Sequence, residues 1–64
     1  MENAKLTSVK IIESLYNKFK KTSVGTEMTL QKLTNRSIDL YLTDELYKEK
    51  LETHDNLTIS GSNL

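Results

Sequence analysis

The chain has 64 residues and contains no cysteine, and these two facts limit how it can reach a stable fold. A chain of this length buries only about 60% of the surface that its unfolded form exposes, so a lone monomer would be marginally stable. Without cysteine there are no disulfides and no thiolate zinc site, and the single histidine, His54, cannot build a metal site by itself. The remaining routes are very regular packing and association between copies. We therefore expect an obligate oligomer, and specifically a homodimer.

The small size also bears on the class of function. Side chains from so short a chain can hardly enclose a pocket of about 300 Å³ or more, the usual size of a ligand site. We therefore expect no enzyme activity, no cofactor and no bound metal. No apolar run of signal-peptide length follows the N-terminus, and no stretch approaches the roughly 18 apolar residues of a membrane helix. A soluble, cytoplasmic protein without membrane contact is expected.

The formal net charge is zero, but the two halves of the chain carry opposite charges. Residues 1–36 hold seven Lys and Arg against three acidic residues, a net charge of +4. Residues 37–64 hold two Lys against six acidic residues, a net charge of −4. Such asymmetry suggests that the basic half contacts nucleic acid, although a solvated lysine-rich surface would have the same composition. The basic residues are Lys5, Lys10, Lys18, Lys20, Lys21, Lys32 and Arg36.

Residues 5–12 alternate in the way that a half-buried strand does. Thr7, Val9 and Ile11 would share one face of an extended chain, and the residues between them would share the other. A single strand leaves its backbone N–H and C=O groups unpaired, and no second strand of similar quality follows in the sequence. We therefore expect this strand to pair with the same strand of a second copy.

Two amphipathic helices are predicted after the strand. Glu13 to about Ser23 forms the first, with Leu15 and Phe19 one turn apart and Gly25 able to close it. The second begins after Thr29, an N-cap candidate. Its apolar positions recur at spacings of three and four, at Leu30, Leu33, Thr34, Ile38, Tyr41 and Leu42.

Two alternatives remain open after this stripe. The second helix could continue to Leu51, or a third could restart where Thr43 precedes Asp44 and Glu45. Residues 52–64 are polar without a sustained period, which predicts a flexible tail. The predicted organisation is a flexible arm over residues 1–4, a folded domain over residues 5–51 and the tail over residues 52–64.

The order of strand, helix and helix resembles that of a known family. Residues 9–11 (VKI), 15–20 (LYNKFK) and 28–42 (MTLQKLTNRSIDLYL) are similar to the ribbon-helix-helix DNA-binding proteins of the Arc, MetJ and CopG type. Members place the last inward strand residue some eighteen positions before the N-cap of the second helix, as Ile11 and Thr29 stand here. The implied fold is mainly α with one short strand. It is an intertwined homodimer with a two-stranded antiparallel ribbon between its chains.

The resemblance also implies roles for individual residues. The outward ribbon positions Leu6, Ser8 and Lys10 would read bases in the major groove, where Lys can donate to guanine and Ser can pair with either base type. Lys10 could instead be an exposed strand lysine that discourages edge pairing. Thr29 could be a plain N-cap, and this role is compatible with a phosphate contact. Phosphate contacts are expected from Lys5, Thr29, Leu30 and Lys32, near or at a helix N-terminus. The predicted dimer core comprises Val9, Ile11, Leu15, Phe19, Leu30, Leu33, Ile38, Tyr41 and Leu42.

These features together predict a sequence-specific transcriptional repressor that binds double-stranded DNA, of the type found in phages, plasmids and other mobile elements. Neighbouring dimers could assemble further on tandem sites. Two alternatives share the fold: an antitoxin whose C-terminal part binds a toxin, and a DNA-organising protein for plasmid partition or transfer with a motor protein as partner. A structural helical interaction module that binds no DNA is a further alternative.

Overall fold

The computed structural model describes residues 3–64, and in this part of the chain three α-helices follow one another. Helix α1 spans Glu13–Ser23, α2 spans Leu30–Thr43 and α3 spans Glu45–Glu52. Residues 3–12 carry no regular secondary structure, and residues 53–64 form turns and irregular backbone. The fold is therefore a small all-helical one.

The predicted strand over residues 5–12 does not form, and residues 3–64 contain no strand. The prediction of a ribbon-helix-helix fold with an intermolecular ribbon is therefore wrong. The alternation shows only which side chains would share a face if the chain were extended. A strand also needs hydrogen-bond partners for its backbone N–H and C=O groups, and the alternation does not show where these are. Leu6 is 98% exposed and Val9 is 76% exposed, so the middle of this segment makes little contact with the rest of the chain, and only Ile12, next to α1, is half-buried.

Helix α1 has the predicted bounds, although its N-terminus lacks a polar cap. Ile12 occupies the N-cap position and makes no side-chain hydrogen bond there. The helix dipole is balanced instead by Glu13 in the first turn and by Lys20 and Lys21 in the last. After the helix, Gly25 adopts a φ of +82°, which a residue with a side chain adopts only at a cost.

The chain restarts a helix after Thr43, which settles the open alternative. Asp44 is the residue between α2 and α3, with an extended backbone at φ −116° and ψ 106°. Its Oδ1 accepts hydrogen bonds from the backbone N–H groups of Leu46 at 3.1 Å and Tyr47 at 3.2 Å. Its own N–H donates to the carbonyl of Leu40 at 2.8 Å, so one residue closes α2 and caps α3.

Helices α2 and α3 pack against each other, and a tyrosine on α2 joins them. The Tyr41 hydroxyl donates a 2.7 Å hydrogen bond to Oε2 of Glu52, at the far end of α3. The Nζ atom of Lys48 lies 5.8 Å from the centre of the Tyr41 ring, within the range of a cation–π contact. The hydrogen bond to Glu52, some burial and the negative charge of Glu52 raise the pKa of Tyr41 above its ordinary value of 10.0.

The described residues enclose no buried core. Not one side chain among residues 3–64 is buried, and α1 has no Cα atom within 8 Å of α2 or α3. The accessible surface is 6218 Å², whereas a folded monomer of 7.4 kDa exposes about 4200 Å². The radius of gyration is 13.2 Å, against about 11 Å for a compact domain of this length. The isolated chain is thus expanded and leaves apolar surface uncovered.

The segment after α3 closes into a hydrogen-bonded loop. The N–H of Leu57 donates to the carbonyl of Ser62 at 2.9 Å, and Gly61 takes a φ of +69° within this loop. Leu57, Ser60 and Ser62 are half-buried. The flexibility expected for residues 52–64 stays a prediction.

We predict that Asp44→Ala lowers the free energy of unfolding by about 1 kcal/mol, the usual cost of losing an N-cap. The two N–H groups at the start of α3 would lose their acceptor. Urea unfolding followed by circular dichroism, at a fixed protein concentration, measures the change. Asp55→Ala removes the same charge outside the helices and serves as the control. Equal effects of the two substitutions would show that Asp44 does not cap α3.

We predict that Glu52→Ala lowers the pKa of Tyr41 towards 10.0, because the neutral phenol loses its carboxylate acceptor. Phenolate absorbance in a Tyr16→Phe, Tyr47→Phe background reports this pKa alone. The raised pKa means that the hydrogen bond stabilises the fold fully below pH 10 and ceases to do so as the pH rises through the folded-state pKa. Glu49→Ala, with the same charge change on α3, is expected to lower the pKa less. A shift as large as that of Glu52→Ala would refute the hydrogen bond.

Candidate nucleic-acid interface

The basic half of the chain presents its cations to solvent. Two lie in the irregular segment before α1, three lie on α1 and two lie on α2, and all seven side chains are exposed. They are Lys5 and Lys10, then Lys18, Lys20 and Lys21, then Lys32 and Arg36. Helix α1 and the segment before it therefore carry five of these seven cationic side chains. Helix α1 makes no close backbone contact with α3.

The three lysines of α1 occupy different sides of the helix. Lys20 lies beside Tyr16, with its Nζ 5.6 Å from the ring centre, as expected for residues four apart. Lys18 and Lys21 are three apart and share another side. The half-buried apolar residues Leu15 and Phe19 separate Lys18 from Tyr16 around the helix. Lys18 and Lys21 are thus the pair on α1 that is placed to meet one polyanion together.

The N-terminus of α2 is occupied by contacts within the chain. The Thr29 hydroxyl accepts a 3.1 Å hydrogen bond from the N–H of Lys32, which makes Thr29 a true N-cap. The Nζ atom of Lys32 donates to the carbonyl of Glu27 at 2.9 Å. Of the two interpretations of Thr29, the structure therefore shows the cap. The phosphate contacts predicted for Thr29, Leu30, Lys32 and Lys5 stay predictions.

The predicted base-reading residues do not lie on a ribbon. Leu6, Ser8 and Lys10 are exposed side chains of an irregular segment, so the alternating outward face that the ribbon implied is absent. The segment before α1 still places a lysine and a hydroxyl two residues apart and free of helical structure. Their contact with bases stays a prediction, without the geometry that the ribbon would have imposed.

The predicted dimer core is not assembled within one chain. Three of its nine members, Leu15, Phe19 and Tyr41, are half-buried, and the other six are exposed. Five of the nine predicted core residues lie on α2. Val9 and Ile11 lie in the irregular segment. The exposed members are Val9, Ile11, Leu30, Leu33, Ile38 and Leu42.

The contact between Tyr41 and Glu52 has no signal in the sequence. The two residues are eleven positions apart and on different helices, so no helical period connects them. The pairing of Tyr16 with Lys20 could have been found, since residues four apart on a helix are neighbours.

One depression lies on the surface of α2. It is lined by Asn35, Arg36, Asp39 and Leu40, all from that one helix, so it is open to solvent and not an enclosed pocket. Within the described residues no three His, Cys, Asp or Glu side chains group as metal ligands would. None of the helices in residues 3–64 has the length and apolar character needed to cross a membrane.

Comparison with known proteins adds no relative: no family model, curated protein or solved structure matches this chain.

We predict that Thr29→Ala lowers the free energy of unfolding by about 1 kcal/mol, because the N–H of Lys32 loses its acceptor. Thr29→Ser keeps a hydroxyl at the cap and should restore most of this loss. Chemical unfolding followed by helix ellipticity measures both. Thr22→Ala, a matched change in the last turn of α1, is expected to be nearly neutral. If Thr29→Ala is no more destabilising than Thr22→Ala, the cap is unimportant.

Proposed function

We propose that this protein binds double-stranded DNA through its basic half and acts there as a small transcriptional regulator. The observation that carries the proposal is the exposure of seven cationic side chains on residues 5–36, in a chain whose other half is acidic. Lysine and arginine contacts to phosphates supply most of the non-specific affinity for DNA. A net charge of +4 concentrated in one half is well suited to that task.

The segment before α1 and α1 itself would make the contacts. A segment without regular structure can follow the course of a DNA groove, as basic N-terminal arms of other DNA-binding proteins do. Lys5 and Lys10 lie in that segment, and Lys18 and Lys21 share one side of α1. Lys10 can donate to guanine or to a phosphate, and Ser8 can hydrogen-bond to a base edge. Sequence preference is therefore assigned to Ser8 and Lys10, and affinity to the remaining lysines.

The acidic half supports a defined orientation on DNA. Helix α3 and its flanking residues carry five carboxylates against Lys48 and Lys50, and the phosphate backbone repels this net negative charge. The basic half then faces the DNA and the acidic half faces away. A regulator that occupies a promoter acts by binding alone and needs no catalytic residues. Assembly of neighbouring molecules on tandem sites would extend the occupied stretch.

We predict that Lys18→Ala and Lys21→Ala each weaken binding to DNA and lower the salt dependence. The slope of log affinity against log salt should fall by about 0.9 for each lysine–phosphate pair that the substitution removes. Fluorescence anisotropy with labelled duplex DNA over a range of salt concentrations measures the slope. The control is Lys50→Ala, which removes an exposed lysine from α3 in the acidic half and should leave the slope unchanged.

Selection of bound duplexes from a random pool tests the sequence preference. The proposal expects an enriched motif that becomes weaker in Ser8→Ala and Lys10→Ala. Binding without any enriched motif would refute a sequence-specific regulator. Failure to bind DNA at low salt would refute the whole proposal and leave a structural interaction module.

A further inference from the structure

We propose that a second copy of this chain packs against the side of α2 formed by Ile38 and Leu42, here called the Ile38–Leu42 ridge. The two residues lie one turn apart on the same side of the helix. Within one chain Ile38 is 55% exposed and Leu42 is 74% exposed. The inference concerns a protein partner and goes beyond DNA binding, on which it does not depend.

Ile38 and Leu42 are more exposed than the α2 residues beside them. Ser37 and Tyr41 are half-buried on the neighbouring side of α2, where Tyr41 reaches Glu52 of α3. At 100° per residue, Ile38 and Leu42 project 60° to 140° around the helix axis from those two residues. The apolar arc of α2 therefore extends from Tyr41, whose hydroxyl reaches α3, around to Ile38 and Leu42. A helix that is apolar over so wide an arc needs a second neighbour.

The amount of uncovered surface matches what a dimer needs. The chain exposes 6218 Å², about 2000 Å² more than a folded monomer of its mass. This excess is spread over the whole chain, and two copies that each covered half of it would bury about 2000 Å² in total, the lower end of the range of obligate homodimers. A small ligand or a short peptide would leave most of the excess in water.

Charge also favours a second copy as the occupant. The formal net charge of the chain is zero, so two copies associate without net electrostatic repulsion. No residue among residues 3–64 is buried, so the chain needs a partner to bury its apolar side chains. Other copies of the same chain are the partner present wherever the protein is made. In a two-fold dimer the same patch contributes from both chains, so the ridge meets the partner's ridge or its immediate surroundings. The pairing would also bring two basic halves into one particle.

Sedimentation equilibrium without DNA tests the inference independently of the proposed function. The unaltered chain is expected at twice its mass of 7.4 kDa. Leu42→Glu and Ile38→Glu should each reduce the mass to that of one chain, because a carboxylate would be buried at the interface. Val24→Glu is the matched control, since Val24 is 77% exposed in the loop between α1 and α2. This variant should keep the double mass.

A monomeric mass for the unaltered chain would overturn the inference, and so would a double mass for both ridge variants. Leu42→Glu also unfolding the chain would support it, provided that Val24→Glu remains folded, because Leu42 has little cover in its own chain to lose. A thiol probe adds a variant without an introduced charge. In the otherwise cysteine-free chain, Leu42→Cys should be alkylated several-fold more slowly than Val24→Cys. Equal rates in folded protein would overturn the inference.

Discussion

The rest of this structure depends on one constraint: residues 3–64 contain no buried side chain and so no hydrophobic core. A hydrophobic core forms where helices meet, and in residues 3–64 close backbone packing between helices joins α2 to α3 but does not include α1. Two short helices of 14 and 8 residues cannot enclose a side chain between them, so their apolar residues are at most half-buried. The contact is therefore set by a few specific interactions at its ends. Asp44 turns the chain between the helices, and Tyr41 reaches across to Glu52.

The same constraint links stability to function. Cationic side chains need no interior, so the basic half can present them from α1 and from a segment without regular structure. Ile38 and Leu42 of α2 stay largely exposed beside the α2–α3 contact and carry none of the cations of the proposed DNA surface. The two proposals therefore assign different surfaces of the chain, one to a polyanion and the other to a second copy.

Local signals in the sequence predicted the helices well. The bounds of α1, the cap at Thr29 and the positive φ at Gly25 depend on interactions within a few residues, which the sequence displays directly. The restart near Asp44 was visible as an alternative for the same reason. For the candidate site, the division of charge was also readable, because it needs only a count along the chain. The contact of Tyr41 with Glu52 was not, since it joins residues whose separation follows no period.

The ribbon-helix-helix prediction failed where it needed a partner. Alternation over residues 5–12 describes side chains, whereas a strand exists only when its backbone groups are paired, and no strand within residues 3–64 pairs with it. By itself, the sequence determined the first two helical segments, the cap at Thr29 and the separation of charge, because each depends only on residues close together in the chain or on a count along it. Tertiary structure alone decided that residues 3–12 stay irregular, that α3 packs on α2, and that the Ile38–Leu42 ridge is left bare. Each of these depends on contacts between residues that are far apart in the sequence. Helical period, capping residues and charge counts do not predict such contacts.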